Sequence, residues 1–180
     1  MFITAADLIK IAPACKPRAE KYVPALNSAL DEFKINTPLR AAAFVCEVLH
    51  ETGSLLYMRE IASGENYEGR LDLGNIYPGD GKLFRGRGAL QTTGRANYTN
   101  VAKKLGIDCI NHPELLENPS EGFRSSGLFW LEKGLNELAD KGDILTISVR
   151  INGRNKKTGF PNGWQERQDL YKKAREVLKC

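Results

Sequence analysis

One helical segment of this chain has clear boundaries at both ends, and it limits the folds that the sequence can adopt. Thr37 is a good N-cap residue, and Pro38 follows at the first helical position, where proline fits. Gly53 can take the left-handed conformation that commonly ends a helix. An apolar stripe at helical spacing lies between these ends, formed by Leu39, Ala42, Ala43, Cys46 and Leu49. The pattern predicts a buried helix whose last turn presents His50 and Glu51.

Similar spacing elsewhere predicts a mainly α-helical protein. The segment 18–35 is expected to be helical, with Pro24 at the start of its main part because proline suits a first turn. Residues 143–150 fit a strand or a helix equally well, because their apolar residues have no firm period. The remaining helices are predicted over residues 5–11, 95–105, 120–131, 135–139 and 164–178.

The helical periodicity fades between residues 54 and 83. Six positions in this segment are glycine or proline, and Tyr77-Pro78-Gly79-Asp80-Gly81 is a strong turn signal. We expect a small loop-and-hairpin lobe whose tyrosines and aliphatic residues are buried. A long segment with little regular structure inside a compact domain is often functional. Residues 1–180 are therefore predicted to form one domain, with a loop-rich lobe at about 54–84 inserted in a helical lobe.

Composition narrows the function classes. Hydrophobic residues make up 42% of the chain and charged residues 27%, as in ordinary globular proteins. No apolar stretch approaches the roughly 20 residues that span a bilayer. The first residues have no basic start and no long apolar run, so we expect no conventional secretory signal. The net charge of +4 is modest and its basic residues form no long run, which argues against nucleic acid. The four cysteines lie far apart, so we expect neither a zinc site nor disulfides.

Two carboxylates are candidates for catalysis. At the end of its helix, Glu51 faces the negative end of the dipole among apolar neighbours, which favours the protonated form that a general acid needs. Glu60 follows nine residues later, after a turn, so the two side chains can stand across a cleft. Paired carboxyl groups across a sugar-binding cleft are typical of glycoside hydrolases. Spacing alone does not select Glu60 over the other carboxylates of the loop, which are Glu65, Glu68 and Asp72.

A polar, glycine-rich strip at residues 85–97 offers groups that could bind a sugar. Gly86 and Gly88 let the backbone approach a ligand closely. The amides donate and accept hydrogen bonds as N-acetyl and hydroxyl groups require, a threonine can hold an attacking water, and an arginine can pair with a carboxylate. The side chains in question are Arg87, Gln91, Thr93 and Asn97. Neither glycine-rich phosphate-loop motif is present.

These motifs carry a resemblance to a known family. His50-Glu51-Thr52-Gly53 followed by residues 85–98 resembles the signature of family-nineteen glycoside hydrolases. The pattern is similar to that of short endolysins from bacteriophages of Gram-negative bacteria, and also to plant and bacterial chitinases. Ile151-Asn152-Gly153 and Glu166-Arg167 match two further family positions. The similarity runs from about residue 37 to residue 178.

The resemblance implies a lysozyme-like fold of the α+β kind, mainly α with a small loop and β-hairpin lobe flanking a substrate cleft. It also implies an inverting mechanism without metal or cofactor. Glu51 matches the general acid, Glu60 the second carboxylate, and Thr93 a residue that positions the nucleophilic water. Arg167 matches an arginine that orients the acid–base pair. The substrate-binding residues expected from motif and resemblance together are His50, Arg87, Gln91, Asn97, Asn152 and Arg167.

We therefore expect an endolysin that hydrolyses β-1,4 bonds between N-acetylated sugars of bacterial peptidoglycan. It would be a monomer without a separate wall-binding domain, made in the host cytoplasm and active in the periplasm. A holin-type partner would give it access to the wall, where its substrate would be the glycan strands. We expect no nucleic acid partner and no stable membrane insertion. Two alternatives stay open: a chitinase acting on chitin, and a non-catalytic sugar-binding protein on the same fold.

Overall fold

The structure is a computed structural model, and it describes residues 2–180. Nine α-helices are found in this part of the chain. They are α1 (Ala5–Ile11), α2 (Ala19–Glu32), α3 (Pro38–Glu51), α4 (Asp80–Leu83), α5 (Arg95–Leu105), α6 (Pro119–Glu132), α7 (Leu135–Asp140), α8 (Ile144–Asn152) and α9 (Trp164–Leu178). Four short 3-10 turns lie at Pro13–Cys15, Glu65–Tyr67, Leu71–Leu73 and Pro113–Glu117. None of the helices in residues 2–180 is long and apolar enough to cross a membrane.

Helix α3 has the predicted boundaries. The Thr37 hydroxyl accepts a hydrogen bond from Arg40 N, and Pro38 occupies the first turn. The chain leaves the helix through three consecutive residues with positive φ, at Gly53, Ser54 and Leu55. Left-handed backbone is costly for residues other than glycine, so this exit is a tight and specific turn.

One helical prediction needs correction, and the structure decides one segment that the pattern left open. Helix α2 begins five residues before Pro24, which lies inside the helix instead of starting it. The helix tolerates this proline because it falls early in the segment, and packing of the surrounding apolar face outweighs one lost backbone hydrogen bond. The ambiguous segment 143–150 is helical, since the Asp143 side chain caps α8 by accepting from Thr146 N.

The loop-rich segment differs from its prediction in two respects. The expected hairpin is reduced, among the described residues, to two isolated bridges, Arg59 with Arg87 and Arg87 with Thr92. The apolar residues expected to be buried there remain largely exposed: Tyr57, Ile61, Leu71, Ile76 and Tyr77. Charge pairs and backbone caps hold the segment instead. Asp80 accepts two hydrogen bonds from Arg95 at 2.8 and 2.6 Å.

The core forms around α3, which packs against α9 on one side and α7 on another. Every residue from Ala41 to Leu49 is buried, and Phe44 meets Trp130 edge-on with ring centroids 5.2 Å apart. A second layer pairs α2 with α6. The burial of α3 fixes its last turn against α9, and this turn carries Glu51.

Candidate active site

The end of α3 forms one wall of the site. Glu51 is partly exposed, and one of its oxygens accepts a hydrogen bond from Nη2 of Arg167 on α9. The Arg167 side chain is completely buried. Its Nε donates to Asn162 O at 3.1 Å, so the guanidinium is fixed from the opposite side as well. The sequence predicts that this arginine both orients the acid and binds substrate. Because the side chain is completely buried, its position fits the orienting role and not direct contact with substrate.

Glu47 is a carboxylate that the sequence reasoning missed. It lies one helical turn before Glu51, is fully buried, and accepts a hydrogen bond from Nη1 of Arg167. Its other oxygen accepts from Ser148 Oγ at 2.6 Å. Burial raises the pKa of Glu47 to about 7, although Arg167 and Ser148 act in the other direction. The available signal was a lone charged residue within the apolar run of α3, four positions from Glu51.

His50 is held where α3 meets the start of α9. Its Nδ1 lies 2.8 Å from Glu166 Oε2, and its ring packs so closely on Gly163 that an added Cβ would lie 2.1 Å from His50 Cε1. Burial, together with the charge of Arg167, lowers the pKa of His50 below its ordinary 6.5. The imidazole is therefore neutral at pH 7, and it serves as part of the α3–α9 contact.

Glu60 stands on the second wall, which is built from extended backbone. Glu60 N donates to Gly86 O at 2.9 Å, and Gly88 N donates to Met58 O at 2.9 Å. The Glu60 carboxylate accepts from the Tyr67 hydroxyl at 2.9 Å and from Gly86 N at 3.2 Å. Burial and the hydrogen bond to Glu60 raise the pKa of Tyr67, so the hydroxyl keeps its proton and donates it to the carboxylate in this bond.

Glu51 and Glu60 line the same cavity, of about 280 Å³. The other residues lining it are Tyr57, Arg59, Ile61, Ala62 and Gln91.

The alternative loop carboxylates have other partners. Glu68 caps the start of α4 by accepting from Gly79 N and Gly81 N at 2.6 and 2.8 Å. Glu65 is exposed beside Lys82, and Asp72 pairs with Arg70.

Gly86 marks a point where three polar side chains converge. A Cβ added there would lie 2.8 Å from Gln91 Oε1 and 3.3 Å from both Glu60 Oε2 and Thr93 Oγ1. Thr93 also donates to Gln91 O at 2.8 Å. A side chain at position 86 would collide with Gln91, so glycine at this position lets the polar groups of Glu60, Gln91 and Thr93 lie close together.

A second cavity of about 300 Å³ adjoins the first, because Gln91 lines both. Thr93 and Asn97 line the second cavity, and Asn97 Nδ2 donates to Thr93 O at 2.7 Å. Its rim also carries Glu132 and Lys133. The two cavities together provide the Glu51 and Glu60 carboxyl groups at one end, and amide, hydroxyl, charged and apolar side chains along the rest.

Four of the six predicted substrate ligands do not line these cavities: the buried Arg167 and the His50 of the α3–α9 contact, described above, and Arg87 and Asn152. Arg87 is 6% exposed, and its guanidinium donates to Glu117, to Leu83 O and to the Tyr98 hydroxyl at 2.8 to 3.0 Å. These bonds give Arg87 a structural position under the strip, so the substrate contact predicted for it has no geometric support. Asn152 is exposed at the end of α8, where its Oδ1 accepts from Asn162 N at 3.2 Å.

No group of three or more His, Cys, Asp or Glu side chains suited to hold a metal ion occurs within residues 2–180. The polar groups that the site does contain are the carboxyl groups of Glu51 and Glu60, their hydrogen-bond donors and the buried guanidinium of Arg167.

No family model matches the chain. Individual proteins are nevertheless similar to the chain in sequence. "Chitinase 4" of Oryza sativa subsp. japonica is 30% identical over 138 residues, which cover 73% of this chain and 46% of that protein. The "Glycosyl hydrolase family 19 domain-containing protein" of Haemophilus influenzae is 34% identical over 113 residues, which cover 63% of this chain and 52% of that protein.

The solved structure of a bacterial family 19 chitinase superposes on this one with a TM-score of 0.79. The match has 25% identity and covers 98% of this chain and 94% of the other. The chain is similar to family 19 chitinases over most of its length. The mainly α, lysozyme-like fold expected from the family resemblance is thereby confirmed. The chain spans about half the length of the two relatives named above.

Proposed function

We propose that this protein is a glycoside hydrolase that cleaves β-1,4 bonds between N-acetylated amino sugars of bacterial peptidoglycan. The observation that carries the proposal is the shared cavity of Glu51 and Glu60. Two carboxyl groups with different surroundings are what acid–base cleavage of a glycosidic bond requires. Similarity to family 19 chitinases supports the same reaction type.

Glu51 is the general acid of the proposal and protonates the leaving glycosidic oxygen. Glu60 is the base and, with Thr93, activates a water on the other face of the sugar, which inverts the anomeric centre. Tyr67 and Gly86 N complement the ionised carboxylate that a base requires. Glu60 Oε2 and Thr93 Oγ1 lie close to each other beside Gly86, so both can contact one water at the edge of the cavity.

Gln91 and Asn97 bind the N-acetyl and hydroxyl groups of the glycan in this proposal. Gln91 stands between the two cavities, and its strained backbone, with φ at +55°, fixes the direction of its side chain. Asn97 lies farther along the second cavity. A glycan strand can thus extend from the carboxylates toward the amides.

The biological setting is an endolysin that acts as a monomer on glycan strands. In this setting the host synthesises the protein in its cytoplasm, and a holin-type partner releases it to the periplasm. The support is the resemblance of the motifs to phage endolysins and a net charge of +4, which suits an anionic wall polymer. Chitin is a second candidate substrate, because several relatives are named chitinases.

The decisive experiment digests purified peptidoglycan and chitin oligomers and identifies the new reducing ends by mass spectrometry. Glu51→Gln and Glu60→Gln should each lower kcat by about 10²- to 10⁴-fold while the protein stays folded. Glu65→Gln is the matched control, because Glu65 is exposed in the same loop and does not line the cavity. Full activity of Glu51→Gln would overturn the acid assignment, and cleavage of chitin alone would replace peptidoglycan as substrate.

A further inference from the structure

We propose that the rim of the second cavity binds the stem peptide of peptidoglycan, a short peptide that carries carboxylates and, where it is not cross-linked, a free amine. The inference rests on the proposed function, because it names the part of the same substrate that Glu132 and Lys133 recognise. These two side chains carry opposite charges and line the cavity together. Chitin has no stem peptide, so this site distinguishes the two candidate polymers.

The charges of Glu132 and Lys133 are not neutralised within the described chain. No salt bridge within residues 2–180 involves either side chain, although the two residues are adjacent in sequence. Glu132 Oε2 accepts a hydrogen bond from Asn100 Nδ2 at 2.8 Å. The Lys133 ammonium lies 5.8 Å from the centroid of the Phe129 ring, which also lines the cavity. The cavity therefore presents one cation and one anion whose charges are available to a ligand.

Helix stability does not explain the position of Glu132. It is the last residue of α6, where the negative end of the helix dipole disfavours a carboxylate. The hydrogen bond from Asn100 joins α5 to α6, but an amide oxygen at position 132 would accept it equally well. The charge of Glu132 thus destabilises the helix end, and a ligand that carries an ammonium or N–H group would offset this effect.

The backbone that carries both charges is held in place. Arg150 Nη1 of α8 donates to Lys133 O, and Gly134 then leaves α6 in the left-handed conformation. Apolar side chains supply the remaining character of the cavity, and they are Leu73, Leu90, Val101, Leu128, Phe129 and Ile151. The cavity thus combines two charged side chains on a fixed backbone with apolar surface beside them.

A stem peptide complements each of these groups. Lys133 pairs with a peptide carboxylate, and Glu132 pairs with the free amine or with a peptide N–H. Asn100 Oδ1 accepts no hydrogen bond from residues 2–180, so it is available to a second N–H. The apolar side chains contact the methyl groups of the lactyl ether and of alanine. Because stem peptides branch from every second sugar, a strand that extends from Glu51 and Glu60 into the second cavity brings a stem peptide with it.

The test compares one glycan with and without its stem peptides. An amidase that cuts between the lactyl group and the peptide converts soluble peptidoglycan fragments into denuded strands. Lys133→Gln should raise KM on the peptide-bearing fragments by about 3- to 10-fold, and by several-fold less on the denuded strands. Lys133→Arg keeps the charge and should restore most of the affinity. Lys103→Gln is the matched control, because Lys103 is exposed in the last turn of α5 and does not line the cavity.

Glu132→Gln separates direct contact from long-range attraction. Removal of a negative charge helps an anionic polymer to approach, which would lower KM, whereas loss of a contact with the amine raises KM. We expect KM on peptide-bearing fragments to rise by about 2- to 5-fold. A lower or unchanged KM would overturn the contact of Glu132. An equal loss of affinity on both glycans in Lys133→Gln would overturn the peptide site, because it would assign Lys133 to the sugars or to the lactyl carboxylate.

Binding of the isolated peptide separates this inference from the proposed activity. A synthetic tripeptide of alanine, glutamate and diaminopimelate has no glycosidic bond, so the wild-type protein binds it without turnover. ¹H–¹⁵N NMR should show the signals of Asn100, Glu132 and Lys133 shifting together with a Kd of about 1 to 10 mM, and Lys133→Gln should abolish these shifts. Unmoved signals in the wild type at about 20 mM peptide would reject the peptide site. Shifted signals in a protein that hydrolyses no peptidoglycan would instead reject the proposed function and leave the peptide site standing.

Discussion

At the scale of single residues, the interior of the described chain is notable for its charges. Four charged side chains are exposed by 6% or less: Glu47, Asp80, Arg87 and Arg167. Each has a partner of opposite charge, as buried ions must. Such pairs add little net stability, because desolvation offsets most of their attraction. Their effect is to fix geometry, and three of the four lie directly beneath the candidate active site or the strip that borders it.

The burial of Glu47 gives stability a specific dependence on pH. The folded state raises its pKa from the ordinary 4.5 to about 7, so folded protein binds this proton more tightly than unfolded protein does. The stabilising contribution of protonated Glu47 is complete below about pH 4.5 and is lost as the pH rises through about 7. Glu47→Gln has no such proton to lose.

We therefore expect the free energy of unfolding of Glu47→Gln to rise relative to wild type between pH 5 and pH 8, by about 2 to 3 kcal/mol. Urea denaturation of both proteins at four pH values across this interval measures the difference directly. His50 is present in both proteins, so its own protonation cancels in the comparison. Parallel stability curves would show that Glu47 does not titrate there.

At the scale of helices, close approach between neighbours depends on a few small residues. Gly127 on α6 packs against the ring of Phe33 at the end of α2, and an added Cβ would lie 2.2 Å from Phe33 Cδ2. Phe33 is buried, so its ring has little room to move. This contact is part of the packing of α2 against α6 in the core.

Gly127→Ala sets two effects against each other. Helix propensity alone would stabilise the protein by up to about 1 kcal/mol, whereas overpacking against Phe33 should destabilise it by about 1 to 3 kcal/mol. We expect net destabilisation, seen as a lower Tm, and recovery of much of the loss in the double variant Gly127→Ala with Phe33→Leu. A Tm at or above the wild-type value would mean that the helices can move apart at no cost.

The helices were predictable from the sequence because their signals are local. Thr37, Pro38 and Gly53 bound α3 in the structure as they do in the pattern, and α9 spans the predicted residues 164–178. The predicted start of α2 at Pro24 was wrong, because the local rule for proline takes no account of the tertiary packing that keeps this proline inside the helix.

The loop-rich segment was less predictable because non-local polar contacts hold it. Glu68 reaches the backbone of Gly79 and Gly81, and Asp80 pairs with Arg95 fifteen residues away. No periodic pattern encodes such contacts, so the segment's apolar residues were wrongly expected to supply a core. The importance of Glu47 was hidden for the same reason, as its partners Ser148 and Arg167 lie over 100 residues away in sequence.

At the scale of the whole molecule, net charge separates the two candidate substrates. The chain carries 26 basic and 22 acidic residues, which gives +4 at pH 7. Several of the cations lie in the exposed loop between α8 and α9, at Arg154, Lys156 and Lys157. Peptidoglycan bears carboxylates, whereas chitin is neutral. Long-range attraction should therefore assist encounter with the first polymer and not with the second.

We expect kcat/KM on soluble peptidoglycan fragments to fall by about 2- to 10-fold as the salt concentration rises from 0.01 to 0.15 M. The Debye length shortens over this range from about 30 to about 8 Å, which screens the attraction. Neutral chitin oligomers, assayed in the same buffers, should show no matching decline. The variant Lys156→Gln with Lys157→Gln should reduce the salt dependence on peptidoglycan while leaving turnover of the neutral oligomers unchanged. An equal response of both substrates to salt would mean that net charge does not direct this enzyme to the bacterial wall.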